Sequence, residues 1–241
     1  MKTSSLSRIT LWTGIFAIAM AYLEAAVVVY LRRIFGISDV YGEIPPFDPS
    51  LGAVEIGREF STLLMLFSLG IIAGKGVLSR LGFMIYAFGV WDIFYYVWLK
   101  VLIGWPETLL DWDILFLIPL PWWGPVIAPL IIAATMAITG VLFARLEEKG
   151  LKPKWNWACL SLLSAGLLLI LNTYMAEALG SLPAAAPVLH QLRPVSFDWP
   201  LFLVGYGLSV FALGKAISGA FLSPPQNQPS IGKSPGNQGN D

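Results

Sequence analysis

Ionisable side chains interrupt long apolar stretches at several points in the first half of the chain. Glu24, Glu59 and Asp92 are the clearest cases, because each stands within or beside a run of apolar residues. A carboxylate in such a setting costs free energy, so its presence predicts proton transfer, cation binding or a polar contact between helices. The chemistry therefore depends on where the surrounding segments place these side chains.

The residues around Glu59 follow a helical spacing. Glu55, Arg58, Glu59 and Thr62 are three, four and seven positions apart, which places them on one face of a helix. Carboxylates near a helix N-terminus also complement the helix dipole, and this is the structural alternative for Glu55. Glu59 lies deeper in the segment, which favours a functional interpretation.

Asp92, Tyr96 and Lys100 recur every four residues and form a second stripe. Asp92 is expected near the middle of its helix, with Tyr96 and Lys100 nearer the end. The alternative is a structural contact between helices, in which Asp92 pairs with Lys100 or with a tyrosine.

Three further residues belong to the candidate set. Asp111 and Asp113 precede a proline-broken stretch, and either could instead cap a short helix there. His190 lies near Arg193 in a long loop, where a histidine is commonly a solvated surface residue. If the loop folds over the bundle, His190 becomes a candidate base or ligand.

We expect these side chains to face one another, because separate lipid-facing charges are costly. The sequence predicts an outward-opening polar pocket walled by the first three spans and residues 111–125. Its predicted members are Glu24, Arg58, Glu59, Asp92, Tyr96, Lys100, Asp111, Asp113 and His190.

Composition explains why these segments should be membrane spans. The 241-residue chain is 56% hydrophobic and 12% charged, with a mean hydropathy of +0.71; soluble domains carry about 25% charged residues. Long non-alternating apolar blocks favour helices over barrel strands. The formal net charge is zero, which argues against a nucleic-acid partner. A single cysteine and a single histidine exclude an intramolecular disulfide, a Cys metal framework and an HExxH zinc helix.

The predicted fold is all-α, a polytopic transmembrane helical bundle of about six spans in residues 1–222. The spans are predicted near residues 9–31, 60–78, 83–103, 125–142, 155–174 and 201–222. Asp113–Ile118 is predicted to be a proline-broken interfacial or re-entrant piece before the fourth span. Residues 223–241 are predicted to be a disordered cytoplasmic tail.

Orientation is predicted from Lys and Arg. With the N-terminus inside, ten of these residues lie on the inner side and five on the outer side. This asymmetry favours cytoplasmic N- and C-termini in a cell inner membrane.

Four stretches resemble a family of uncharacterised bacterial multi-pass membrane proteins. They are EAAVVVYLR (24–32), GREFSTLLM (57–65), GVWDIFYYVWLK (89–100) and WDILFLIPLPWWGP (112–125). The resemblance covers roughly residues 20–145 and implies a multi-pass topology. It implies no activity, cofactor or substrate.

Three classes of function are compatible with this pattern. The first choice is a structural or partner-binding membrane subunit whose polar residues join helices, with the lipid bilayer and a membrane protein as its partners. The second is binding or transport of a cation, proton or small polar solute. The third is an intramembrane enzyme acting on a lipid or periplasmic substrate, with carboxylates holding Mg, Ca or Mn, or His190 helping to hold Zn.

Overall fold

The computed structural model describes residues 5–36, 48–117, 120–183 and 196–222. Within these ranges the chain forms six helices, each long and apolar enough to cross a membrane. They are α1 (Ser5–Ile34), α2 (Pro49–Ala73), α3 (Val77–Ile103), α4 (Ile127–Glu148), α5 (Trp157–Gly180) and α6 (Trp199–Phe221). The all-α six-span bundle is therefore confirmed.

The bounds of the third, fourth and fifth predicted spans each differ from the helices by six residues at one end, and those of the second span differ most. The span placed near residues 60–78 is helix α2, which begins at Pro49 and ends at Ala73. The Asp48 carboxylate accepts a hydrogen bond from the Ser50 backbone N–H at 2.8 Å, and a proline suits the first helical turn. Glu55 and Glu59 consequently lie within the helix rather than at its start. The predicted tail, residues 223–241, lies outside the described residues.

A β-hairpin occupies the proline-broken stretch before α4. Strand β1 (Trp112–Phe116) pairs antiparallel with strand β2 (Trp122–Pro125), with a register shift after Ile114. A helix-capping role for Asp111 or Asp113 is therefore wrong here. Asp113 lies in β1, whereas Asp111 closes a turn by accepting hydrogen bonds from the Glu107 N–H and the Thr108 hydroxyl, both at 2.7 Å.

Helix α3 is the centre of the first four helices and packs against α1, α2 and α4, while α5 pairs with α6. Lipid tails provide no hydrophobic drive for helix association, so small residues that permit close packing matter. Gly82 faces Gly140 between α3 and α4, and Gly166 faces Gly205 between α5 and α6. At each of these positions an added Cβ would collide with the facing backbone carbonyl.

The end of the bundle opposite the hairpin is fixed by one carboxylate. Glu147, at the end of α4, accepts backbone hydrogen bonds from Gly76, Leu78 and Ser79 at 3.0–3.3 Å. Gly76 is the N-cap of α3, and the Leu78 and Ser79 N–H groups belong to its first turn, where no helical carbonyl is available to them. The contact holds the start of α3 against α4.

We expect Gly205→Ala to lower the thermal unfolding midpoint in detergent, although alanine is the better helix former. The new Cβ would meet the Gly166 carbonyl oxygen, and overpacking of this kind costs about 1–3 kcal/mol. Gly207→Ala is the matched control, since a Cβ at that position on α6 meets no atom within 4 Å. Equal midpoints for the two variants would show that α5 and α6 do not pack closely at Gly205.

Candidate functional site

A cavity of about 400 Å³ lies among α1 to α5 and the hairpin. It is bordered by the last turns of α1, the first half of α2, the second half of α3 and the first half of α4. This places it toward the end of the bundle opposite Ser5. The lining extends from the exposed Asp48 to Met136 on α4 and Tyr174 on α5. A cavity of this size is in the range of small-molecule sites.

Arg58 joins two carboxylates on the α1–α2 side of the cavity. Its Nη1 forms an ion pair with Glu24 Oε1, and its Nε donates to Glu55 Oε2 at 2.8 Å. The Thr62 hydroxyl donates to the other oxygen of Glu24 at 3.3 Å. The helical spacing therefore directs Arg58 and Thr62 toward Glu24 on the neighbouring helix, with Glu55 paired to Arg58 beside them.

Glu59 holds the hairpin against α2. Its side chain is buried, and its two carboxylate oxygens accept the Leu117 backbone N–H at 2.9 and 3.1 Å. Leu117 follows directly after β1, where the strand pairing ends. A buried backbone N–H without a partner is costly, so this carboxylate stabilises the position of the hairpin.

Asp113 on β1 faces the α3 side of the cavity. Only 5% of Asp113 is exposed, and the Tyr96 hydroxyl donates to its carboxylate. Burial raises the pKa of Asp113 to about 6, although Arg32 and the hydrogen bonds from Tyr96 and the Ile114 backbone act in the opposite direction. Asp92 on α3 is half-buried, lines the same cavity and interacts electrostatically with Asp113.

A chain of aromatic rings forms one wall of the cavity. The ring centroids are 5.2 Å apart for Phe88 and Trp91, 6.4 Å for Trp91 and Phe116, and 5.6 Å for Phe116 and Trp122. Trp122 then stacks on Tyr174 at 6.2 Å. These contacts connect α3 to α5 through the hairpin.

Several buried polar atoms beside the cavity lack hydrogen-bond partners within the described part of the chain. They are Trp91 Nε1, Trp122 Nε1, Asp113 Oδ2 and the Tyr174 hydroxyl. Buried polar atoms in folded proteins are nearly always paired. Such atoms at the border of a cavity are suitable partners for water or a ligand. In the same ranges, no group of three or more His, Cys, Asp or Glu side chains has a geometry that could hold a metal ion.

The structure brings together six of the nine residues predicted for the pocket. Those lining the cavity are Glu24, Arg58, Glu59, Asp92, Tyr96 and Asp113. The prediction that Lys100 and Asp111 belong to the pocket is wrong, because neither residue lines the cavity. The Lys100 ammonium donates to the Gly104 and Pro106 carbonyls at 3.0 and 2.7 Å, because its flexible side chain reaches the end of α3. Asp111 closes the turn before β1, and His190 lies outside the described residues.

Sequence reasoning missed several residues of the cavity. Arg32 lines it at the end of α1, and Tyr95 lies beside Tyr96 on α3. Tyr174 enters from α5, whereas Ile132 and Met136 enter from α4. A tyrosine late in the apolar span 155–174 was the one available signal, and the aliphatic residues of α4 gave none.

Comparisons with protein-family models, with curated proteins and with solved structures find no match for this chain. Its membership of a family of bacterial multi-pass membrane proteins accordingly stays a prediction. The geometry of the cavity carries the functional argument.

The raised pKa of Asp113 predicts how stability changes with pH. The folded protein holds this proton more tightly than the unfolded chain, whose pKa is near 3.8. The contribution of protonated Asp113 to the free energy of unfolding is therefore complete below about pH 4 and is lost as the pH rises through about 6. Asp113→Asn should remove this loss, which is on the order of 3 kcal/mol.

The measurement is the thermal midpoint of wild type and variant in detergent between about pH 4 and pH 7. Asp111→Asn is the control, because hydrogen bonds from Thr108 and Glu107 lower the pKa of the Asp111 carboxyl in its turn. The Asp111→Asn variant should lose stability with rising pH as the wild type does. A wild type and an Asp113→Asn variant with parallel pH profiles would contradict the buried placement of this carboxylate.

Proposed function

We propose that this multi-pass membrane protein binds a small polar or cationic solute in the cavity, and that it serves in transport or recognition of that solute. The observation that carries the proposal is the convergence of ionisable residues from α1, α2, α3 and β1 on one cavity of about 400 Å³. Intramembrane ionisable residues that border a cavity commonly mark a substrate or ion pathway.

The arrangement of Asp92 favours solute binding over a purely structural role. In polar contacts that only join helices, the polar groups bond to each other. The Thr135 hydroxyl on α4 and the Tyr206 hydroxyl on α6 do so at 2.8 Å. The Asp92 carboxylate has no hydrogen-bond or ion-pair partner among residues 5–36, 48–117, 120–183 and 196–222, and it lines the cavity. An unpaired carboxylate beside a cavity is expected of a group that binds a ligand.

The proposed orientation places both termini in the cytoplasm of a bacterial cell with this protein in its inner membrane. Its support is the excess of Lys and Arg on the side of the N-terminus. The cavity lies toward the opposite end of the bundle, so it would open to the outside.

A cysteine-accessibility experiment tests both the cavity and the orientation. Cys159, the one cysteine of the chain, is buried and can be replaced by serine to give a background without thiols. Met136→Cys then reports on the cavity, and Ile138→Cys, which is 64% exposed on the lipid-facing side of α4, is the control. The probe is (trimethylammonioethyl) methanethiosulfonate, which does not cross membranes.

We expect the thiol at residue 136 to react at least about tenfold faster than that at residue 138, because only a thiol in contact with water ionises readily. Reaction should occur from the outer face of sealed vesicles. Reaction from the face that carries the N-terminus would show that the cavity opens on that side, contrary to the proposal. No reaction from either face, in a variant that elutes as a folded protein, would overturn solute binding in the cavity.

A further inference from the structure

We infer that the solute is an organic cation with an alkylammonium group, which lies between Asp92, Asp113 and the aromatic wall of the cavity. This inference rests on the proposed function and names its ligand class. Three properties of the cavity lead to it: an excess of acidic side chains, two acidic groups with unused bonding capacity, and walls formed by aromatic rings.

The ionisable residues around the cavity are mainly acidic. Six carboxylates and two guanidinium groups line it, namely Glu24, Asp48, Glu55, Glu59, Asp92 and Asp113 against Arg32 and Arg58. A cleft lined with one sign of charge between low-dielectric walls concentrates ions of the opposite sign. The cavity therefore attracts cations and repels anions.

The other four acidic groups, Glu24, Asp48, Glu55 and Glu59, are already engaged. Arg58 neutralises part of the charge of two glutamates, and Glu59 binds the backbone N–H of Leu117. Asp48 caps the first turn of α2. The groups left for a ligand are the two aspartates on α3 and β1.

Those two aspartates interact, and when both are ionised they carry more negative charge than the nearby Arg32 guanidinium can balance. Asp113 Oδ2 has no partner in the described ranges although 95% of the residue is buried. Arg32 attracts Asp113, but its guanidinium also lies 4.3 Å from the centroid of the Trp105 ring. One guanidinium balances one carboxylate, so an ionised Asp92 requires a second positive charge beside it.

The walls favour an organic cation over an inorganic one. Tyr95, Tyr96 and Tyr174 all interact electrostatically with Asp92, and the stacked Trp122 and Tyr174 rings continue that wall. Aromatic faces attract ammonium groups, and their carbon surface suits alkyl substituents. Hydrated metal cations instead require several oxygen ligands at once.

The test uses Met136→Cys in the Cys159→Ser background and two reagents of opposite charge. Labelling rates are measured with (trimethylammonioethyl) and (sulfonatoethyl) methanethiosulfonate, and each is divided by the rate of that reagent with a free thiol in solution. We expect the cationic reagent to be favoured at least about tenfold. Asp92→Asn should reduce this preference severalfold, whereas Asp111→Asn, in the turn outside the cavity, should leave it unchanged.

A competition experiment tests the alkylammonium group itself. Tetramethylammonium chloride should slow labelling by the cationic reagent, and KCl at the same concentration should not, because ionic strength is then matched. Equal slowing by both salts would overturn the choice of an organic cation. Asp113→Asn provides a second carboxylate variant, which keeps the test decisive if Asp92→Asn does not fold.

The outcomes separate this inference from the function on which it rests. Reaction of the cysteine without preference for the cationic reagent, or with preference for the anionic one, overturns the ligand class and leaves solute access in place. Absence of reaction with either reagent overturns the proposed function and, with it, this inference.

Discussion

The pairing of charge inside the membrane is the constraint on which this structure depends. Arg58 carries a positive charge into a half-buried site, and Glu24 and Glu55 compensate it. Helices α1 and α2 pack little against each other and are held mainly by their separate contacts with α3. The Arg58–Glu24 ion pair and the Thr62–Glu24 hydrogen bond connect the two helices directly, on the face of α2 that lines the cavity.

The hairpin depends on the same face of α2. Strands β1 and β2 line the cavity beside the buried Glu59 of α2. Glu59 binds the N–H that follows β1, which places Asp113 opposite Asp92. Trp122 then extends the wall to Tyr174 on α5. One helical stripe thus positions both the acidic and the aromatic sides of the cavity.

Local rules were sufficient for much of the fold and for part of the cavity. Apolar length predicted the six spans, and helical spacing together with the cost of lipid-facing charge brought Glu24, Arg58 and Asp92 together. The hairpin could not be foreseen, because its three prolines and continuous apolar residues show no strand alternation. Lys100 was misplaced because spacing fixes where a side chain begins, whereas its flexible chain turns to the carbonyls at the end of α3. The position of Tyr174 beside the cavity results from a contact between α5 and the hairpin, and no local sequence pattern predicts such a contact.

The most direct measurement of this account is a double-mutant cycle on Glu24 and Arg58. Glu24→Gln, Arg58→Met and the combined variant are compared with wild type by the free energy of unfolding in detergent. We expect a coupling energy on the order of 2 kcal/mol, because Arg58→Met alone leaves the Glu24 charge without its partner and the combined variant does not. The loss of the Glu55 partner is common to both Arg58 variants and cancels in the cycle. Strictly additive losses would mean that the ion pair does not connect α1 to α2, and would contradict the account.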